Sequence, residues 1–215
     1  MTMPAPPPEG TRLQLIEAGL HLFGHQGFAA ASTRAIAARA GTNIASIAYH
    51  FGGKDGLREA CAAEFVRRMQ TVLMSAEAAP PTSPDEAAVE LRQVLRTMAG
   101  YLLAGPEAND MAAFMLRELG DGGPTVATIY ERLVEPAHRR LCALWAVATG
   151  AEADSPAVRL RLFSLLGQVV YFRIGAPIVT RRMGWRSMGP DEVAEIVAVL
   201  LDNLDAALDA ARKGA

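Results

Sequence analysis

Chemistry in a 215-residue chain starts with its nucleophiles and metal ligands, and here they are few. The four histidines are His21, His25, His50 and His138, and the two cysteines are Cys61 and Cys142. No HExxH or other metal-ligand spacing is expected among them, and no CxxC, GxSxG, Walker A or GxGxxG motif occurs. The expectation is therefore no metal, no cofactor, no catalytic constellation and no enzyme, with both thiols reduced and buried in a cytoplasmic protein. A second set of side chains could do different chemistry. Thr33, Arg34, Asn43, Ser46, Tyr49, His50 and Lys54 lie within 22 residues and carry donors suited to phosphate oxygens and base edges.

Those side chains need elements to present them. In STRAIAARAGTNIASIAYHF (32–51), Ser32 can cap a short helix over about 33–40, and Gly41 can stop it. Asn43 can cap another helix over about 44–50. Ile36, Ala37, Ala40, Ile47 and Phe51 supply an inward face, and the alanines allow close approach. Two short helices in this arrangement present the second to a major groove. A preceding helix carries the stripe Leu13, Ile16, Leu20 and Phe23 and ends near Gly24–Gly27. Between Ala31 and Arg58 four cations (Arg34, Arg39, Lys54, Arg58) face one anion, Asp55, although the whole chain has net charge -2. Site-specific binding through a local patch fits this distribution, and coating of DNA does not.

Residues 11–60 resemble the DNA-binding domain of TetR-family repressors. The resemblance is carried by TR…I.EAGL.LFG.QGF at 11–28, STR.IAARAG at 32–41 and YHFGGKDGL at 49–57. It implies phosphate contacts from Thr33, Tyr49, His50 and Lys54, and base reading by Arg34, a bidentate partner for guanine. Asn43, Ile44, Ala45, Ser46 and Ala48 complete the expected DNA surface. Ile44, Ala45 and Ala48 stand where Lys, Gly and Tyr are frequent. They can meet thymine methyls but cannot hydrogen-bond base edges, so polar discrimination should rest on Arg34, with Ser46 assisting. The stretches FMLRELGDGGPTVATIYERLVEPAHRRLCALWA (114–146) and SPAVRLRLFSLLGQVVYFRIGAPIVTRRMGW (155–185) resemble the C-terminal domain of CecR-like members of the same family.

Helical periodicity dominates the rest, and 51% hydrophobic residues suffice for a large core. The expected fold is all-α with about nine helices: a disordered arm at 1–10, a helix-turn-helix domain at 11–58, and a helical effector-binding and dimerisation bundle at 59–212. Helices are expected near 55–78, 85–104, 107–119, 124–149, 155–181 and 190–212, with a linker at 79–84. No apolar run reaches the length of a membrane span, and MTMPAPPPEG lacks the features of a signal peptide.

The candidate effector pocket is drawn from Met69, Leu73, Met98, Leu102, Phe114, Arg117, His138, Trp145, Gln168 and Tyr171. Methionines suit a wall for varied apolar ligands. The alternative for the apolar members is that they simply fill a core. Intrahelical or interhelical pairs, such as Arg117 with Glu118 or His138 with Glu135, serve for the polar ones. A homodimer is expected through the helices at 155–181 and 190–212. Leu162, Leu165, Leu166, Val169 and Val170, and Val193, Ile196, Val197, Leu200, Leu201, Leu204 and Leu208, supply the apolar residues. Burial within one subunit is the alternative for that stripe. The reading that results is a regulator, most simply a repressor released from palindromic double-stranded operator DNA by a small-molecule effector of unknown identity. The alternative is a DNA-binding regulator or activator without such an effector.

Overall fold

The computed structural model describes residues 9–73, 81–104 and 108–214. Among them every regular element is helical: α1 (Glu9–Gln26), α2 (Thr33–Arg39), α3 (Ala45–Phe51), α4 (Lys54–Leu73), α5 (Pro84–Ala104), α6 (Ala108–Asp121), α7 (Thr125–Ile129), a π-helical turn (Tyr130–Val134), α8 (Glu135–Thr149), α9 (Pro156–Ile174), α10 (Ala176–Met183) and α11 (Pro190–Gly214). The arm up to residue 8, the expected helical extension over 74–78, the first part of the 79–84 linker and the Gly105–Pro106 break lie outside the described residues.

Two of the nine expected helices are subdivided, each at a proline that the periodicity hides. Pro136 has no N–H to give the carbonyl of Arg132, and its ring crowds that carbonyl. The chain widens there into the π turn, and the Gln70 amide donates to the Arg132 oxygen at 2.8 Å. Pro177 acts likewise on the expected helix at 155–181. α9 stops at Ile174, Gly175 turns the chain, and α10 leaves at 75° to α9. No single helix is long and apolar enough to cross a membrane.

The chain forms two compact units, Met1–Arg67 with Asn109–Ile129, and Arg68–Ala108 with Tyr130–Ala215. The core of the first unit contains Leu15, Ile16, Leu20 and Phe23 of α1, Ile36 of α2, Ile47 of α3, Leu57, Cys61 and Phe65 of α4, and Met111 and Phe114 of α6. Leu13, expected in the α1 stripe, is exposed, and Leu15 takes an inward place. The unit also holds a buried ion pair. The Arg58 guanidinium meets both carboxylate oxygens of Glu118 at 3.0–3.1 Å and lies over the Phe28 ring. The Thr125 hydroxyl donates to the same carboxylate. Glu118 therefore pairs across the unit with α4 rather than with Arg117, its neighbour in sequence.

In the second unit α5 is the central rod. Ala87, Leu91, Val94, Leu95 and Met98 pack with Leu141, Trp145 and Ala148 of α8, and with apolar residues of α9 and α11. Arg92 donates to Asp205 at 2.7 Å, tying α5 to α11, and Arg140 donates to the Leu73 carbonyl and to Glu90.

Candidate nucleic-acid interface

The helix-turn-helix forms as its local signals require. Ser32 Oγ accepts from the Ala35 N–H at 3.1 Å and caps α2; loss of such a cap costs about 1 kcal/mol. Asn43 Oδ1 accepts from the Ala45 N–H at 2.9 Å and opens α3. Gly52 ends α3 at φ +72°, a left-handed conformation that side chains with a Cβ resist. The buried side of the hairpin is Ile36, Ala37, Ala40 and Ile47. The other side is left to solvent.

On that solvent side Asn43, Ala45 and Ala48 are exposed, Ile44 is 48% exposed and Tyr49 64%. Ile44, Ala45 and Ala48 thus give this side of the hairpin an apolar character. Arg34 projects from α2 and is exposed. Thr33 opens α2 half-buried, one position after the cap.

Three expected contacts look different once the side chains are placed. Ser46 is half-buried, and its hydroxyl is engaged with that of Thr42 at 3.1 Å; a role in base reading would require breaking that bond. His50 is half-buried between Tyr49, edge-on at 5.2 Å, and Phe51 at 5.9 Å. Its Nε2 is enclosed without a partner, so a phosphate contact would fall to Nδ1. The Lys54 ammonium lies 4.5 Å from the Phe28 ring centroid and 3.5 Å from the Ala29 carbonyl, so it also pins the α1–α2 loop. The local cationic excess read from the sequence is smaller at the surface, because Arg58 is buried against Glu118. Arg34 and Arg39 are the fully exposed cations of this segment.

The expected effector wall is scattered. Met69, Met98, Leu102 and Trp145 are buried core of the second unit, and Leu73 is half-buried at the end of α4. Phe114 is buried in the first unit beside Phe65, and Arg117 is exposed. Gln168 accepts from the Asn203 amide, and Tyr171 is exposed. Of the ten residues, His138 borders a cleft. That cleft, of about 210 Å³, is lined by Tyr130, Glu135, His138, Cys142, Arg159 and Phe163 among others. The His138 ring stacks on Phe163 at 3.9 Å and bonds the Arg159 carbonyl rather than Glu135. Sequence reasoning missed this cleft because the π turn and the α8–α9 packing create it.

It also missed a cluster in the first unit. His21 and His25 lie four apart on α1, a spacing that puts both rings on one face, and both reach Asp110 of α6. The expectation of no metal-ligand spacing overlooks this pair. Asp110 itself, some 85 residues distant, becomes their neighbour only through folding.

Comparison with known proteins agrees with this geometry. Residues 15–61 match the model of the bacterial regulatory proteins of the tetR family, and residues 87–211 match the C-terminal domain of the HTH-type transcriptional dual regulator CecR. Among curated relatives, the HTH-type transcriptional dual regulator CecR of Shigella flexneri is 33% identical over 207 residues, covering 92% of this chain and 91% of that protein. The HTH-type transcriptional regulatory protein RaaS of Mycobacterium tuberculosis is 29% identical over 151 residues, 70% of this chain and 65% of RaaS. Among solved structures, a TetR-like transcriptional regulator from Rhodococcus sp. RHA1 superposes with TM-score 0.68 at 20% identity, covering 95% of this chain and 99% of that one, a likeness of fold. An exposed helix-turn-helix, an all-helical second unit and these matches together make the chain a member of the TetR family of transcriptional regulators, with a CecR-type C-terminal domain.

Proposed function

We propose that this regulator is a cytoplasmic homodimeric repressor that holds a palindromic operator and is released by a small-molecule effector. The observation that carries the dimer is the double-sided character of α9. Val158, Leu162, Leu165 and Val169 face inward, and all are buried. On the opposite side Leu160 (70% exposed), Phe163, Val170, Tyr171 and Ile174 form a stripe in solvent, continued on α10 by Ile178 (68% exposed). Lone exposed apolar residues are ordinary, but a contiguous stripe of this length marks an interaction surface. Pairing of two such stripes about a two-fold axis makes the same patch serve both subunits. Of the residues expected from the sequence to pair subunits, Leu162, Leu165, Val169, Val193, Ile196, Leu200, Leu204 and Leu208 are buried within the chain, Leu166, Val197 and Leu201 are half-buried, and Val170 is exposed on this stripe.

A two-fold dimer sets two α3 helices on half-sites about one helical turn of DNA apart, about 34–36 Å. Thr33, Tyr49 and Lys54 would grip phosphate, and Arg34 would read a base. For the effector, the cleft beside His138 is the better candidate than the Met69–Trp145 set. Its volume is below the roughly 300–1,000 Å³ typical of ligand pockets. That small volume also favours the second reading, a DNA-binding regulator that needs no small-molecule effector.

Selection of bound duplexes from a random pool by the full-length protein, at controlled salt, tests the proposal. An inverted repeat with two chains per duplex is expected. Equal retention of random and palindromic duplexes would refute the operator reading. A compound that weakens operator binding at least about tenfold would establish the effector branch, which requires only about 1.4 kcal/mol of differential affinity.

A further inference from the structure

We propose that His21, His25 and Asp110 form a binding site for one divalent transition-metal ion of the zinc class, bridging α1 and α6. Three donor atoms converge on one point. Asp110 Oδ1 is 3.0 Å from His21 Nδ1 and 2.9 Å from His25 Nε2, and Oδ2 is 3.1 Å from His21 Nδ1. The ligand atoms of all three residues lie within 4.8 Å of one another. A tetrahedral ion with bonds of about 2.0–2.1 Å holds its donors about 3.3 Å apart. The two nitrogen–oxygen distances already approach that scale.

The donor set fits this class of ion. Two imidazoles and a carboxylate suit zinc, iron, nickel and copper, whereas calcium and magnesium prefer oxygen alone. Three protein ligands leave a position for water. The site opens to solvent, with side-chain exposures of 29% for His21, 46% for His25 and 34% for Asp110, so an ion can enter.

The scaffold is preorganised. Gly24 lies where α1 meets α6, and a Cβ there would stand 2.7 Å from the Phe114 backbone nitrogen. The two helices therefore approach at backbone distance one turn from the cluster. Asp110 stands in the first turn of α6, where the helix dipole favours an ionised carboxylate. Without an ion, protons on the imidazoles fill the space between nitrogen and carboxylate. An ion displaces those protons, so affinity falls on acidification. Bound there, it staples α6 to α1, the helix that packs on α2.

The test is zinc titration of tag-free, chelator-treated full-length protein against a chromophoric chelator, with cobalt as the spectroscopic probe. One ion per chain is expected, with a rise in thermal midpoint and slowed amide exchange in α6. His21→Gln, His25→Gln and Asp110→Asn should each lose at least the roughly 10- to 100-fold that even an outer-shell substitution costs. Circular dichroism of each variant before titration confirms the fold. Absence of binding at micromolar zinc overturns the proposal. So does wild-type affinity in all three variants, which would move the ion to another site such as Cys142 and His138.

Discussion

Replacing Glu118 by alanine is expected to destabilise the protein severely, while replacing its whole ion pair is not. Glu118 is fully buried, and the Arg58 guanidinium that it holds is nearly so. Removing the carboxylate leaves a buried cation over the Phe28 ring without its counter-charge, and it takes away the acceptor of the Thr125 hydroxyl. A buried pair broken on one side costs about 3–5 kcal/mol. The Thr125 term belongs to the same network and does not add in full. For a chain of this length the cost corresponds to a fall in Tm of roughly 6–20 °C. Desolvation offsets most of the attraction within an intact buried pair. The double substitution Arg58→Met with Glu118→Leu should therefore lie within about 1 kcal/mol of wild type, or above it. Urea unfolding followed by circular dichroism measures both. A Glu118→Ala cost below about 1 kcal/mol, or a double variant as unstable as the single one, would refute this account.

Other outcomes follow from the same geometry. Arg34→Ala should flatten the preference for bases at one operator position in a substitution panel. Lys54→Ala should weaken binding to all sequences alike and lower the salt slope by about one unit. Leu160→Glu with Ile174→Glu should shift sedimentation equilibrium from dimer to monomer with little change in helicity, since both residues are exposed in the single chain. For Asp110, burial raises the carboxyl pKa, but hydrogen bonds from His25 and His21 outweigh it and hold it below its usual 3.8. Its folded value is depressed, so its contribution is present above that value and is lost as pH falls below it. The stability difference between wild type and Asp110→Asn should accordingly shrink as pH falls towards about 3 in urea titrations. Burial pushes the Cys61 thiol far above its usual range, so its labelling at pH 8 should track global unfolding rather than proceed in the native state.

Much of the DNA-binding half was legible in the chain order, because its signals are local. Ser32, Asn43 and Gly52 act on backbone groups within three or four residues, so spacing alone announces α2 and α3. The family resemblance rests on the same short-range pattern. The breaks at Pro136 and Pro177, inside apolar runs, were not legible. There the hydrophobic period continues across the break, and only the missing N–H betrays it.

What the sequence by itself determined was the all-helical class and the helix-turn-helix. Helical period and capping are set by neighbours along the chain. The tertiary structure alone decided which apolar face of α9 is core and which is free, since periodicity marks both faces alike. It alone brought Arg58 to Glu118, and Asp110 to His21 and His25, across 60 to 89 residues. It also turned Lys54 and Ser46 partly towards their own chain. Charge pairing and ligand clusters depend on which helices cross, and that is fixed by packing of whole faces rather than by any local spacing.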